Sequence, residues 1–304
     1  MAYFGYILLH NIVPLSIMIG AGILMQKCFQ LDMKTLSKLN FYLFSPVVIF
    51  KMLYESVISV DVIFQVLLFF IVFFTMLVAA TEIMIRLKGY KGGLRVAVRH
   101  SVLFYNSANY TLPLNQLVFN NNPFTLSVQI IIMMIQTLLP HTYGVYSINS
   151  HRQDWRKTLR TVLTMPVIYA IPIAFLIKGM EWELPSALYT PIDYIAGGFI
   201  AVALITLGAQ LGTMSWKFQI SDVLLSNLLR LMVSPLLGAA ACWMLGIDGL
   251  LGSALILSCA VPTALNSVLL AVEFDNEPEF ASQAVLSSTV FSTLSVTVVI
   301  FFLQ

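Results

Sequence analysis

The sequence is short of charge. Only 10% of its 304 residues are charged, while 59% are hydrophobic; a soluble globular domain carries about 25% charged residues. So few charges cannot cover a water-facing surface, which excludes a soluble protein and leaves a lipid bilayer as the main solvent. The net charge of +2 is too small to imply a nucleic-acid partner, and none is expected. Cysteine is scarce too. Cys28, Cys242 and Cys259 lie in apolar stretches without CxxC spacing. That excludes a disulfide framework and a thiolate metal site, and the three read as small buried hydrophobes. No cofactor is implied. HExxH, GxSxG, paired catalytic aspartates and a nucleotide-binding loop are all missing, which argues against an enzyme and against ATP-driven pumping. The first apolar run lacks a basic leader and is followed by many more, so it reads as a span and not as a cleavable signal peptide.

What is present is long apolar sequence, with a mean hydropathy of +0.89. A spanning helix needs about 20 mostly apolar residues. Ten candidates run near 5–26, 38–54, 61–85, 94–119, 123–147, 161–178, 191–213, 224–245, 249–274 and 279–303. The expected fold class is therefore an all-α polytopic membrane protein.

Lys and Arg placement sets the expected orientation. The odd-numbered connections hold Lys27, Lys34 and Lys38; Arg86, Lys88, Lys91, Arg95 and Arg99; Arg152, Arg156, Lys157 and Arg160; and Lys217. Arg230 joins them as a residue near the cytoplasmic start of the eighth span. Only Lys51 and Lys178 fall on the other side. These connections read as cytoplasmic, which puts both termini outside a multi-pass protein of the plasma membrane.

Prolines suggest an internal repeat. Pro14 and Pro166 stand 152 apart, Pro113 and Pro262 149 apart, and Pro123 and Pro278 155 apart. An offset near half the chain implies two five-helix halves. Five is odd, so the second half enters the membrane inverted, a recurrent transporter plan. The expected domains are 1–148 for the first repeat, 149–160 for a basic cytoplasmic linker and 161–304 for the second repeat.

The fourth and ninth spans each carry a proline near the middle among small and polar residues. Proline lacks an amide hydrogen and clashes with the carbonyl four residues back, here Asn109 and Ser258. In hydrocarbon such a freed group costs several kcal/mol unless protein or a wet cavity satisfies it. The second half of each broken span is expected to begin at its proline, with free amides and a positive dipole end that attract an anion. A packing kink without a site is the competing reading of any one proline. The expected substrate-binding residues are Asn106, Asn109, Thr111 and Pro113 in one span, Gln136 in the fifth, and Ser258, Pro262, Thr263 and Asn266 in the other.

LSKLNFYLFSPVVIFKML at 36–53, NSANYTLPL at 106–114, ALITLGAQLG at 203–212, RLMVSPLL at 230–237 and AVPTALNSVLLA at 260–271 resemble the auxin efflux carrier family, which includes plant PIN carriers and short bacterial permeases. The resemblance covers nearly the whole chain. It implies ten helices in two inverted repeats, with helices four and nine crossing at their prolines, and an elevator-like alternation between a scaffold and a transport domain. Bile acid/sodium symporters share that general architecture. Family members commonly read like NTGFLGIP before the helix-four proline. Here NYTLP keeps Asn109 and Pro113 but loses both glycines, so Tyr110 and Leu112 would crowd the cavity and the substrate would differ. The long central loop of plant carriers is missing.

Ionisable residues at membrane depth are functional candidates by default. Glu82, His141 and Asp61 are the candidates for proton or ion coupling. Each has a plainer reading: Glu82 pairs locally with Arg86, His141 packs beside Pro140, and Asp61, like Asp193, favours a helix start. Gln210, among the glycines of LGAQLG, reads as close helix packing. No deep carboxylate pair is visible. The leading expectation is a secondary carrier for a small organic anion, driven by membrane potential as a uniporter. A sodium- or proton-coupled symporter of bile-acid-symporter type is the alternative within transport; a non-transporting receptor or scaffold is the alternative outside it. A second copy of the chain is left open as a partner.

Overall fold

The computed structural model describes residues 2–56, 58–148, 163–214 and 220–303. The basic segment 149–160 and Lys217 lie outside the described residues. Every regular element described is helical. In chain order these are α1 (Phe4–Phe29), α2 (Met33–Glu55), α3 (Val60–Lys88), α4 (Gly92–Leu103), α5 (Leu112–Val118), α6 (Pro123–Ile148), α7 (Pro166–Gly179), α8 (Ser186–Thr213), α9 (Asp222–Leu245), α10 (Gly249–Cys259), α11 (Asn266–Glu273) and α12 (Pro278–Leu303). Among the described residues α1, α2, α3, α6, α8, α9 and α12 are long and apolar enough to cross a membrane. The fourth apolar run is divided into α4 and α5, and the ninth into α10 and α11.

Local chemistry starts and stops these helices. Asp32, Ser59 and Asn122 accept backbone amides at the starts of α2, α3 and α6, as N-caps do. Gly89 and Gly246 end α3 and α9 at φ 70° and 64°, a left-handed conformation that glycine adopts without strain. Proline widens four turns. Pro14, Pro46, Pro113 and Pro235 each follow a π-turn after one intervening residue, at Leu8–Ile12, Asn40–Phe44, Ser107–Thr111 and Leu229–Val233. In each case the carbonyl four residues back lies inside that turn. The ring can neither donate to it nor sit close to it, so the backbone expands by one residue locally.

In lipid the hydrophobic effect does not drive helices together; close packing and hydrogen bonds do. Both are visible. α1 lies along α8, where Gly22 and Gly208 meet: a Cβ on Gly22 would collide with the Ile205 carbonyl, and one on Gly208 with the Ile19 carbonyl. Lys51 of α2 pairs with Asp193 of α8 at 2.5 Å, and Lys178 of α7 donates to Ser56 Oγ at 2.8 Å. These contacts join α1, α2, α7 and α8. A second set joins α9 to its neighbours: Ser226 bonds Ser101 of α4 at 2.5 Å, and Asn227 donates to Ser287 of α12 at 2.7 Å. Between the two groups lies an apolar seam, with Val48 and Ile49 of α2 and Phe199 of α8 against Leu112 of α5 and Leu126 and Ile130 of α6.

Three expectations need correction. α8 begins at Ser186, not near 191, because Pro191 is accommodated within its first turns; Asp193 is thus inside the helix, engaged by Lys51. Cys28 is exposed at the end of α1, unlike buried Cys242 and Cys259. Arg230, expected near the start of the eighth span, lies about two turns inside α9 with 0% exposure.

Candidate functional site

The break in the fourth run lies at Phe104–Asn106, ahead of Pro113. Phe104 is extended (φ −98°, ψ 113°). Asn106 then restarts the chain: its Oδ1 accepts the Asn109 amide at 3.1 Å, and its carbonyl accepts the Thr111 amide and hydroxyl at 3.1 and 3.0 Å. Pro113 occupies the first turn of α5, as a proline lacking an amide can. In the ninth run α10 ends at Cys259 and α11 begins at Asn266, so Pro262 lies within the gap and does not open the second half-helix. The expectation that both second halves begin at their prolines is corrected for the ninth run, and the site of breakage is corrected for the fourth. The extended Phe104 and the cap of Asn106 decide the latter.

The two gaps satisfy each other. Tyr105 and Thr263 form an antiparallel bridge. The Asn106 amide donates to the Pro262 carbonyl at 2.9 Å, and the Ala264 amide to the Phe104 carbonyl at 2.8 Å. Side chains complete the pairing. Thr263 Oγ1 donates to the Ser101 carbonyl at 2.6 Å, and Ser288 of α12 accepts the Thr263 amide at 3.2 Å. Gln136 of α6 accepts the Tyr105 amide at 3.3 Å and donates to the Leu103 carbonyl at 3.4 Å. Ser258 donates to the Leu255 carbonyl at 2.7 Å. The sequence-derived residues thus converge on one place, but Thr111, Gln136, Ser258 and Thr263 spend these bonds on main chain. Asn109 and Asn266 differ. Each stands where its half-helix restarts, half-buried, and neither side chain has a protein partner among the described residues. The Asn106 Nδ2 is buried and likewise unpartnered.

Sequence reasoning missed the cation beside the breaks. The Arg230 guanidinium donates to the Val102 carbonyl at 2.9 Å, to Ser234 Oγ at 2.5 Å and to the Cys259 carbonyl, and lies 4.6 Å from the centre of the Tyr105 ring. A lone Arg in the apolar run NLLRLMV was the available signal. Also missed were His100, buried at 2% exposure and bonded to Ser147 at 2.6 Å, and the serines of α12. One of these, Ser292, donates to the Tyr110 hydroxyl at 3.0 Å. Tyr110 is therefore turned onto α12, and Leu112 is packed in the apolar seam.

The two breaks thus pair with each other inside a helical membrane protein, and comparison with known proteins gives its family. A family model described as membrane transport protein matches residues 7–300. The chain belongs to this auxin efflux carrier family. It is similar to an uncharacterized transporter of Methanothermobacter thermautotrophicus, 25% identical over 160 residues, covering 52% of each chain. It is also similar to an uncharacterized transporter of Methanocaldococcus jannaschii, 21% identical over 111 residues, covering 36% of each. The chain thus spans about half the length of the first relative, 52%, and about a third of the second, 36%.

In this auxin efflux carrier family member the titratable candidates lie apart from the breaks. Glu82 accepts from Arg95 at 2.8 Å and from Arg99, while Arg86 is exposed; its partners come from α4 and not from the next turn of α3. Asp61 is exposed in the first turn of α3. His141 lies in a π-turn of α6, its ring 6.4 Å from that of Phe41 in α2. Tyr54, Lys178, Glu181, Trp182 and Glu183 line a separate cleft of about 300 Å³.

Proposed function

We propose that this membrane transporter carries a small carboxylate-bearing solute, held between the restarts of the two broken helices by Asn109 and Asn266. The observation that carries the reading is the antiparallel pairing of the breaks, Asn106 to Pro262 and Ala264 to Phe104. It brings the two gaps together inside the protein, which supports reading the restarts that follow them as one site, where positive dipole ends favour an anion. Asn109 and Asn266, without side-chain partners among the described residues, stand at those restarts.

The wider plan follows the same reading. Ten spans form two inverted five-helix repeats, with the basic connections and the 149–160 linker in the cytoplasm and both termini outside the plasma membrane. The group α1, α2, α7 and α8 serves as scaffold, and the rest, carrying both breaks, moves as an elevator. Hydrogen bonds concentrated within each group, and an apolar seam between them, support that division. Export of one carboxylate from a negative interior gains about 2.3 kcal/mol per 100 mV, enough to drive a uniporter.

The test is a thermal-shift screen of detergent-purified protein against indole-3-acetate, malate and their neutral amides. A bound carboxylate at a hundredfold its Kd stabilises by about 2.7 kcal/mol, and the matching amide does not. Stabilisation by the neutral amides and by none of the acids replaces the anion with another solute class.

A further inference from the structure

Arg230 is wholly buried, and none of its described neighbours within ion-pair distance is an Asp or Glu. A buried guanidinium without a counter-charge is costly, so something else must balance it. Its hydrogen bonds show what does. The Val102 carbonyl belongs to the last turn of α4 and the Cys259 carbonyl to the last residue of α10. These are the C-terminal ends of the two first half-helices, created by the breaks and pointing their exposed carbonyls inward. Each helix C-terminus carries about half an elementary negative charge, so two converging ends offer about one. One guanidinium matches it. Ser234 Oγ and the face of Tyr105 occupy further sides of the same group.

In carriers with broken helices, half-helix C-termini and unwound carbonyls are where a transported Na⁺ or H⁺ is held. Here a covalently attached cation holds that position in the described arrangement. We propose that Arg230 is a built-in cation that stands in for a soluble coupling ion, so that the breaks stay assembled and the carrier cycles without sodium or potassium. This rests on the carrier reading of the breaks. It adds that ion independence has one residue as its cause. The rigid fork of a guanidinium suits the role, since it reaches two carbonyls and a hydroxyl at once.

The experiment is thermal unfolding of the detergent-purified full chain at constant ionic strength, with choline chloride exchanged for NaCl, KCl or millimolar guanidinium chloride. The wild type melts at the same temperature in sodium, potassium and choline. Arg230→Ala melts lower, and guanidinium or sodium restores part of the loss where equal choline does not. Arg230→Lys melts below the wild type but stays insensitive to sodium. A lost packing contact alone would give a lower melting point with no cation selectivity. A saturable rise of the wild-type midpoint with sodium overturns the proposal, as does an Arg230→Ala protein that responds to no cation. If Arg230→Ala does not fold, the wild-type series and Arg230→Lys decide: a sodium response in either overturns it, and none in both supports it. These readouts do not involve transport, so a failed carboxylate screen sinks the substrate reading and leaves this result standing on its own.

Discussion

The amide of Asn106 donates to the carbonyl of Pro262 at 2.9 Å, joining the break in the fourth apolar run to the break in the ninth. Neither gap is stable alone in hydrocarbon, because each would leave main-chain groups unpaired at several kcal/mol apiece. The two are one structural unit, and side chains around them divide into those that hold the unit together and those that remain unengaged.

Asn109→Ala and Asn266→Ala are expected to fold and melt close to wild type, since neither side-chain amide has a partner to lose among the described residues. Uptake into liposomes of whichever carboxylate stabilises the wild type falls at least about tenfold in each, about 1.4 kcal/mol of lost binding. Wild-type uptake in both variants would remove the substrate from this place.

Thr263→Val has the opposite profile. It keeps the volume but deprives the buried Ser101 carbonyl of a donor at 2.6 Å. A loss of about 1–3 kcal/mol of stability follows, read as a lower unfolding midpoint in detergent. An unchanged midpoint would show that the hydroxyl does not help to hold the paired gaps.

Gly208→Ala places a methyl group against the Ile19 carbonyl, and backbone cannot swing aside as a side chain can. The expected cost is about 1–3 kcal/mol. Gly20→Ala, on the same helix pair but with open space around its Cα, gains or holds stability because alanine favours a helix by up to about 1 kcal/mol. Equal effects of the two substitutions would refute a close α1–α8 contact.

Tyr90, in the connection after α3, donates its hydroxyl to Asp222 Oδ1 at 2.5 Å. Burial first, and then that carboxylate, push the Tyr90 pKa well above its ordinary value. The folded state therefore keeps a proton that an unfolded chain releases near pH 10. The stability from this group is fully present below about pH 10 and fades as pH rises towards the folded pKa. Melting points taken from about pH 9 to 11 fall more steeply for wild type than for Tyr90→Phe; parallel curves would show that the pair is not formed.

Much of the fold is legible in the sequence. Hydropathy finds the long helices because lipid demands apolar length. The two breaks are legible as well, but their positions are read only in part. Proline reports a missing donor, and that loss is absorbed at Pro113 by a widened turn while the gap opens at Phe104–Asn106, where no breaker residue stands. Gln136, Thr111, Ser258 and Thr263 are legible as members of the region because polar groups in lipid need partners; whether the partner is solute or backbone depends on contacts across the chain, as between Thr263 and Ser101. The burial of Arg230 is not legible, because the rule that places cations at the cytoplasmic edge counts charges near helix ends and has no term for two dipole ends meeting inside. The same holds for Glu82, whose neighbours at one helical turn are visible in sequence but whose actual partners, Arg95 and Arg99, come from α4.

The contact of Val48, Ile49 and Phe199 with Leu112, Leu126 and Ile130 has a mechanical meaning. Hydrogen bonds recognise one register and resist any other, whereas methyl and ring surfaces exchange partners at little loss as long as no void opens. In the proposed elevator motion a joint lined this way would act as a bearing, carrying load perpendicular to itself and offering little friction along its length.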